Sequence, residues 1–279
     1  MKKACVIGWP IKHSRSPLIH NYWLKQLQID GLYERVAVEP NDLPGFIRNL
    51  KQNGYQGCNV TIPHKEAALS AVDIYDQIVR ETGSLNTIFL IDDKIHGTST
   101  DGQGFLNNIL SYYPDYQIQG KTIFMIGAGG SAKAICQKLL EEKAETIWIL
   151  NRTLERALEL QQSFGSKIQI VHPNEIHHHL KTSDMLINST SQGMISQPPL
   201  EIEIDNLPKH ALVADIVYVP LKTKLITKAE SLGLKVVPGL GMLLHQAVEG
   251  FQHWFGVRPE VSQQLYDLVA YDIAMEQSK

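Results

Sequence analysis

Short apolar runs separated by amphipathic stretches recur along the chain. ACVIG is followed by SPLIHNYWLKQL with apolar residues at helical spacing, then by YERVAV, LPGFIRNLKQN and GCNVTI. Short apolar runs read as strands and a 3.6-residue period as helix. The series therefore predicts strand, helix, strand, helix, strand, an alternation that argues for a parallel or mixed α/β sheet. Cys58, Val60 and Ile62 alternate with Asn59 and Thr61, a strand period that Pro63 ends. A helix is expected next, with His64 and Lys65 in its first turn. That is an unusual place for a cation, because the N-terminal end of a helix dipole is already positive.

SLNTIFLIDDKIHGTST reads as two short strands around the Asp92-Asp93 turn, and DGQGFLNNIL opens a helix. After YYPDYQIQG a second series begins. KTIFMIG, TIWILN, IQIV, DMLINST, ALVADIVY and KVVPG read as strands; SAKAICQKLLEEK, LERALELQQSF, a stretch near NEIHHHL and TKLITKAESLG read as helices. The tail, GMLLHQAVEGFQHWF and VSQQLYDLVAYDIAME, reads as two more helices. There is no solenoid repeat and no low-complexity tract. The expected fold class is α/β, two α/β units in tandem with a helical tail.

Composition narrows the function classes. At 279 residues the chain exceeds one comfortable core, so two domains are expected. A net charge of −3 and a pI near 6.4 provide no basic field for nucleic acid or an anionic membrane. Cys5, Cys58 and Cys136 have no paired spacing, which fits a reducing cytosol and argues against a disulfide framework or a zinc knuckle. The N-terminus reads as a strand and turn, and no stretch is long enough to span a bilayer, so a soluble cytoplasmic protein is expected.

The most informative local pattern is KTIFMIGAGGSAKAICQKLL. A strand runs into Gly127-Ala128-Gly129-Gly130-Ser131-Ala132 and a helix follows at once, the G-x-G-x-x-A form of a dinucleotide turn. Gly127 allows the tight turn, Gly129 lets backbone amides approach a pyrophosphate, and Ala132 keeps helix close to strand. The helix N-terminus adds free N–H groups and positive dipole. NAD-binding units usually end their second strand with Asp or Glu. Here Asn151, Arg152, Thr153 and Arg156 stand in that region, a set suited to a 2′-phosphate and hence to NADP(H).

These motifs together resemble the shikimate dehydrogenase family. GWPIKHSRSPLIHN resembles its N-terminal signature, NVTIPHK its catalytic-lysine motif, GSLNT a substrate loop and STDGQGF its aspartate motif. GAGGSAKA, NRTLERA, NSTSQGM, DIVYVPLKT and GLGMLLHQA are similar to later family blocks in the same order. The resemblance implies NADPH-dependent, reversible reduction of 3-dehydroshikimate to shikimate. It implies an N-terminal substrate domain over 1–102, completed by helices in 240–279, and a Rossmann-type NADP domain over 103–239 with a cleft between the two. Ser14, Ser16, Asn59, Thr61, Lys65, Asn86, Asp101, Tyr218 and Gln246 would then bind substrate, with Lys65 and Asp101 as the catalytic pair. Thr190, Ile216, Gly239 and Met242 would lie with the cofactor, NSTSQGM beside its nicotinamide half. Two departures bear on loop geometry. Ser99 replaces the usual Asn, and Gly83-Ser84-Leu85-Asn86-Thr87 replaces a G-A-x-N-T run. Ser16 favours shikimate, since relatives that prefer quinate tend to carry threonine there.

The residue types suit that chemistry. A polyol carboxylate needs many short polar side chains, because each unpaired buried polar group costs about 1–3 kcal/mol. Ser16 before Pro17 also reads as a helix N-cap. Hydride transfer to a ketone leaves an oxyanion that a Lys65 ammonium can stabilise and protonate. His13 and His64 are rival proton carriers. His177-His178-His179 on one helix point in different directions and read as a solvated face, so no metal is expected. Asn188-Ser189-Thr190 matches a glycosylation sequon but lies on a chain without a secretory signal. An NAD-dependent quinate enzyme and a dinucleotide-binding regulator without turnover are the rival readings. A homodimer and a glycine hinge over 239–241 are compatible with the pattern.

Overall fold

The computed structural model describes residues 1–277. The chain separates into two compact units, the first comprising Met1–Gly104 with Leu244–Val269 and the second Phe105–Leu243 with the residues from Ala270 onward.

The first unit contains strands β1 (Lys2–Gly8), β2 (Gly31–Ala37), β3 (Tyr55–Val60), β4 (Ile74–Tyr75), β5 (Thr87–Ile91) and β6 (Lys94–Thr98). They form one mixed sheet in the order β2-β1-β3-β5-β6-β4, parallel across β2, β1 and β3 and antiparallel across β3, β5 and β6. Helices α1 (Ser16–Gln26), α2 (Leu43–Arg48), α3 (Gln77–Thr82) and the start of α4 (Asp101–Tyr112) connect or follow these strands. One core contains Ile7, Leu43, Ile47, Leu50, Val60, Ala68, Val79, Leu85 and Ile88. A second layer is aromatic and includes His20, Trp23, Tyr33, Phe251 and Trp254. Covered on both faces, β1 and β3 lose the inside-outside alternation of a half-exposed strand. Asn59 is therefore buried like Cys58 and Val60, whereas Ile62, beyond the strand end, is 71% exposed. Cys5 and Cys58, unpaired by sequence spacing, are register partners on neighbouring strands and both free.

The helix expected after Pro63 does not form. Residues 61–66 make turns, closed by His64 N donating to Thr61 O, and lead into a short 3₁₀ helix, Ala67–Ala71. Ala68 and Ala71 are buried at a spacing of three, the period of a 3₁₀ rather than an α-helix. α2 ends earlier than its pattern suggests, where the Asn49 side chain bonds back to Gly45 O. α3 lacks a strong apolar period but has both punctuation marks of a helix. Asp76 caps it by accepting from Val79 N, and left-handed Gly83 ends it. The Asp92-Asp93 turn has φ of 48° and 64°, the signature of a tight two-residue hairpin.

The second unit holds β7 (Thr122–Ile126), β8 (Thr146–Leu150), β9 (Ile168–Ile170), β10 (Met185–Asn188), β11 (Leu212–Asp215) and β12 (Lys235–Val237). The order β12-β11-β10-β7-β8-β9 is parallel throughout, the doubly wound arrangement whose strand order reverses between β7 and β10. Helices α5 (Gly130–Glu141), α6 (Leu154–Phe164), α7 (Ile176–Leu180) and α8 (Lys224–Ser231) alternate with the strands. Two buried clusters, one around Ile123, Ile135 and Ile147 and the other around Phe124, Leu186 and Val213, contain alternate residues of the same strands. The tail forms α9 (Leu240–Phe255) and α10 (Gln263–Gln277). Among the described residues no helix is long and apolar enough to cross a membrane.

Within the first unit, α9 is fastened to the sheet through Trp254, which is 1% exposed and donates Nε1–H to Ile88 O at 2.9 Å. A Cβ on Gly57 would lie 2.3 Å from that indole nitrogen, so β3 admits the ring only without a side chain there. Trp254→Ala is expected to cost about 3–5 kcal/mol of stability in a urea titration. A loss under 1 kcal/mol would show that α9 does not depend on this anchor.

Candidate active site

In the first unit four predicted residues, Lys65, Asn86, Asp101 and Gln246, converge. Lys65 stands on the turn after β3, held by Leu85 N donating to Lys65 O at 3.0 Å. Its Nζ forms an ion pair with Asp101 Oδ2 at the start of α4, their side chains 18% and 7% exposed. Asn86 Nδ2 donates to the other carboxylate oxygen at 2.7 Å, to Thr100 Oγ1 at 3.0 Å and to Gln246 Oε1 of α9 at 3.3 Å. Asn86 Oδ1 accepts from Thr100 N and from the Thr87 hydroxyl. Thr100 Oγ1 also reaches Gln246 O at 2.8 Å, and a Cβ on Gly104 would sit 2.8 Å from Gln246 N, so α4 and α9 approach closely. The carboxylate is thus fixed by an amide on one oxygen and an ammonium on the other. A shielded charge pair held by neutral donors suits proton exchange with a bound hydroxyl.

The other predicted substrate residues fall in two groups. Ser14 and Ser16 share a hydrogen bond at 3.3 Å between their hydroxyls. Ser16 does not cap α1; Arg15 occupies the cap position, and Ser14 Oγ accepts from Ser16 N instead. Thr61 is half-buried next to the Lys65 turn, with its N–H donating to Ile7 O. Asn59 differs from the rest. Its amide donates to Asn86 O and Thr87 Oγ1 and its oxygen accepts from Tyr33 Oη, so both of its N–H groups are engaged inside the protein. Tyr218 is half-buried and belongs to the second unit. His64 is buried with its ring bonded to Val38 O at 2.8 Å, a packing role.

In the second unit the predicted cofactor residues collect at the carboxyl ends of the strands. Gly127 has φ of 111°, and a Cβ there would meet Ser189 Oγ at 2.6 Å and Thr190 Cγ2 at 2.9 Å. Gly129 is the N-cap of α5, with no side-chain cap, no acidic residue in the first turn and open space where a Cβ would be. Ala132 is fully buried against the core. The turn therefore offers uncapped N–H groups beside a cradle a side chain would fill, and it fits a dinucleotide pyrophosphate. Ala128 is buried, and Gly130 and Ser131 open α5 half-exposed. Beyond β8, Asn151 Nδ2 donates to Thr153 O, while Arg152 and Arg156 are exposed and in no ion pair among the described residues. Ile216 N donates to Asn188 O, and a Cβ on Gly239 would lie 2.5 Å from Ile216 O, which brings those two predicted residues together. Met242 is packed in the core cluster beneath the turn, 7% exposed, rather than openly presented. Among the described residues no group of three or more His, Cys, Asp and Glu could hold a metal, and His179 instead lies 4.0 Å from Trp148.

Sequence reading passed over the residues that brace these groups, Tyr33, Thr87, Thr100, Asn188, Asp215 and Thr223. Thr100 adjoins Asp101 in the STDGQGF run, which was the available signal. Asp215 opens the DIVYVPLKT run, which was the available signal there. Its Oδ1 accepts from Asn188 Nδ2 and Val217 N, and its Oδ2 from Thr223 Oγ1 at 2.7 Å. Asn188 Oδ1 in turn accepts from Thr190 N and Oγ1, shaping the loop that borders the glycine turn.

Three family models match the chain. One described as the shikimate dehydrogenase substrate binding domain covers residues 6–88, one described as shikimate/quinate 5-dehydrogenase covers 111–222, and a shikimate 5′-dehydrogenase C-terminal domain covers 239–263. A shikimate dehydrogenase (NADP(+)) of Afipia carboxidovorans is 46% identical over 98% of both chains. A shikimate 5-dehydrogenase of Thermus thermophilus, solved with NADP(H) and shikimate, is 30% identical with a TM-score of 0.86, over 98% of this chain and 100% of that one. One from Listeria monocytogenes, solved with shikimate and NAD, is 27% identical with a TM-score of 0.89 over 96% of each.

Burial raises the Asp215 carboxyl to about 6, against the bonds from Thr223, Val217 and Asn188 that lower it. A carboxyl raised above its unfolded value contributes stability that is present at low pH and lost as pH rises through the folded value. Between about pH 7.5 and pH 5, wild type should therefore gain ~1 kcal/mol relative to Asp215→Asn, read from urea midpoints. Parallel pH profiles for the two proteins would contradict the assignment.

Proposed function

The chain belongs to the shikimate/quinate dehydrogenase family, and from that membership and the two clusters we propose that it reduces 3-dehydroshikimate reversibly to shikimate with NADPH. The observation that carries the reading is the Lys65–Asp101 pair set among Asn86, Thr100 and Gln246. The first unit is then the substrate domain and the second the NADP domain. NADP(H), when bound, supplies or accepts the hydride. Lys65 Nζ, as an ammonium, gives a proton to the oxygen of the ketone being reduced; in the reverse direction the amine takes it back from the alcohol. Asp101 holds Lys65 by charge and shares the reacting substrate hydroxyl with it. Asn86 and Gln246, already joined through Asn86 Nδ2, bind ring hydroxyls, and Ser14 and Ser16 bind the carboxylate with Thr61 beside them. Tyr218 completes the substrate set.

For the cofactor, the amides around Gly127, Ala128, Gly129, Gly130, Ser131 and Ala132 hold the pyrophosphate, and Asn151, Arg152, Thr153 and Arg156 hold the adenosine 2′-phosphate. Thr190, Ile216, Gly239 and Met242 border the nicotinamide half. The absence of a carboxylate at the end of β8 favours NADP(H) over NAD(H). A cytoplasmic location and a homodimeric assembly accompany this reading. Serine rather than threonine at position 16 favours shikimate over quinate.

Absorbance of reduced nicotinamide in a mixture of protein, shikimate and NADP⁺ tests this directly. Lys65→Ala should lower kcat by about 10²–10⁴-fold while leaving NADPH affinity unchanged. Arg152→Ala should raise KM for NADP⁺ by about tenfold, with KM for NAD⁺ hardly moved. Folded protein that binds NADPH but turns over neither shikimate nor quinate would support a regulator without catalysis and sink the enzyme reading.

A further inference from the structure

A chain of hydrogen bonds in the first unit begins at Tyr33, a residue to which sequence reading assigned no role. Tyr33 of β2, 1% exposed, donates Oη–H to Asn59 Oδ1 at 2.6 Å. Asn59 Nδ2 donates to Asn86 O and to Thr87 Oγ1, each at 3.2 Å. Thr87 Oγ1 can only accept there, because its own proton goes to Asn86 Oδ1 at 3.0 Å. Asn86 Nδ2 then reaches Asp101 Oδ1, and the opposite carboxylate oxygen meets Lys65. Every link has one sensible direction: Asn86 O can only accept, and the Tyr33 hydroxyl donates to the amide oxygen left facing it. Were the Asn59 amide reversed, its oxygen would face Asn86 O, two acceptors in contact.

Tyr33 is clamped more firmly than packing requires. Asn21 of α1 bonds both its backbone groups, Nδ2 to Tyr33 O at 2.9 Å and Oδ1 from Tyr33 N at 3.0 Å. The His20 ring stacks on the phenol at 4.0 Å with an interplanar angle of 14°, and Trp254 lies at 5.6 Å. Burial lowers His20 to about 3, so that ring is neutral. Burial also pushes the Tyr33 phenol well above its usual value, so the hydroxyl remains a donor across the working range of pH.

We propose that Tyr33 is a positioning residue for catalysis: its hydroxyl fixes the Asn59 amide and, through Thr87 and Asn86, the carboxylate of Asp101 against Lys65. Asn59 is then part of the support, its amide joining Tyr33 to Asn86 and Thr87. The inference rests on the catalytic reading of Lys65 and Asp101.

The test compares wild type, Tyr33→Phe, Thr87→Val and Thr87→Ser for kcat, KM for shikimate and NADPH affinity by fluorescence titration. Tyr33→Phe removes one oxygen and should lower kcat/KM for shikimate about tenfold or more, mainly through kcat, with NADPH affinity within about twofold. Thr87→Val should show the same loss, Thr87→Ser should restore most of it, and the Tyr33→Phe/Thr87→Val double variant should lose no more than either single change. A Tyr33→Phe enzyme within about twofold of wild type, a matching loss of NADPH affinity, or Thr87→Val and Thr87→Ser behaving alike would overturn the inference. If Tyr33→Phe does not fold, the two Thr87 variants decide. Wild-type protein without turnover would contradict the catalytic reading itself, and this inference with it; wild-type turnover unaffected by the variants would overturn this inference alone.

Discussion

The Lys65–Asp101 ion pair is the constraint around which the first unit is arranged. Removing two charges from water is costly, and the pair persists only where neighbouring groups satisfy the lone pairs and protons left over. Asp101 lies at the start of α4 and takes an amide from Asn86, while Asn86 is itself oriented by Thr87 and Thr100. Those partners come from β5, from the turn before α4 and, through Gln246, from α9. The mixed sheet places β3 and β5 side by side and antiparallel, with Asn59 opposite Thr87, so the Lys65 turn after β3 lies beside Asn86. A helix after Pro63 would have pointed the lysine along a helix dipole. The turn-and-3₁₀ arrangement instead frees it from that field and gives it to the carboxylate.

The second unit obeys a different demand, backbone close to an anion. Gly127 is pressed against Ser189 and Thr190, and Gly129 leaves the α5 N-terminus bare. Asp215 supports this edge at some cost to stability, since a buried carboxyl with a raised pKa opposes folding at neutral pH. Its three hydrogen bonds join the ends of β10 and β11 to the cap of α8, whose Thr223 accepts from Ile226 N. Fold stability is conceded where the loop beside the dinucleotide turn is shaped.

Much of this was legible in the residues. The strand–glycine–helix run at 122–141, the paired positive-φ aspartates at 92–93 and the helix over 154–164 follow local rules, and the structure forms each of them. The missed features depend on tertiary contact. Asn59 alternates with the apolar positions of β3, yet it is buried like them because α9 and its aromatic residues cover the second face of the sheet. α3 is a six-residue helix held by Asp76 and Gly83, too short to display a period. The Lys65–Asp101 grouping was readable because both residues stand in patterned runs, NVTIPHK and STDGQGF, and the structure brings them together. The bracing roles of Tyr33, Thr87 and Asp215 were not readable, because each includes a partner about 26 to 28 residues away in sequence.

The most direct measurement of the central claim is a crystal structure with shikimate and the oxidised cofactor bound. The account predicts one ring hydroxyl within hydrogen-bond distance of both Lys65 Nζ and Asp101, Asn86 and Gln246 on neighbouring hydroxyls, and the substrate carboxylate at Ser14 and Ser16. Shikimate bound with its oxidisable hydroxyl away from Lys65, or at a site that leaves the Lys65–Asp101 pair untouched, would contradict it.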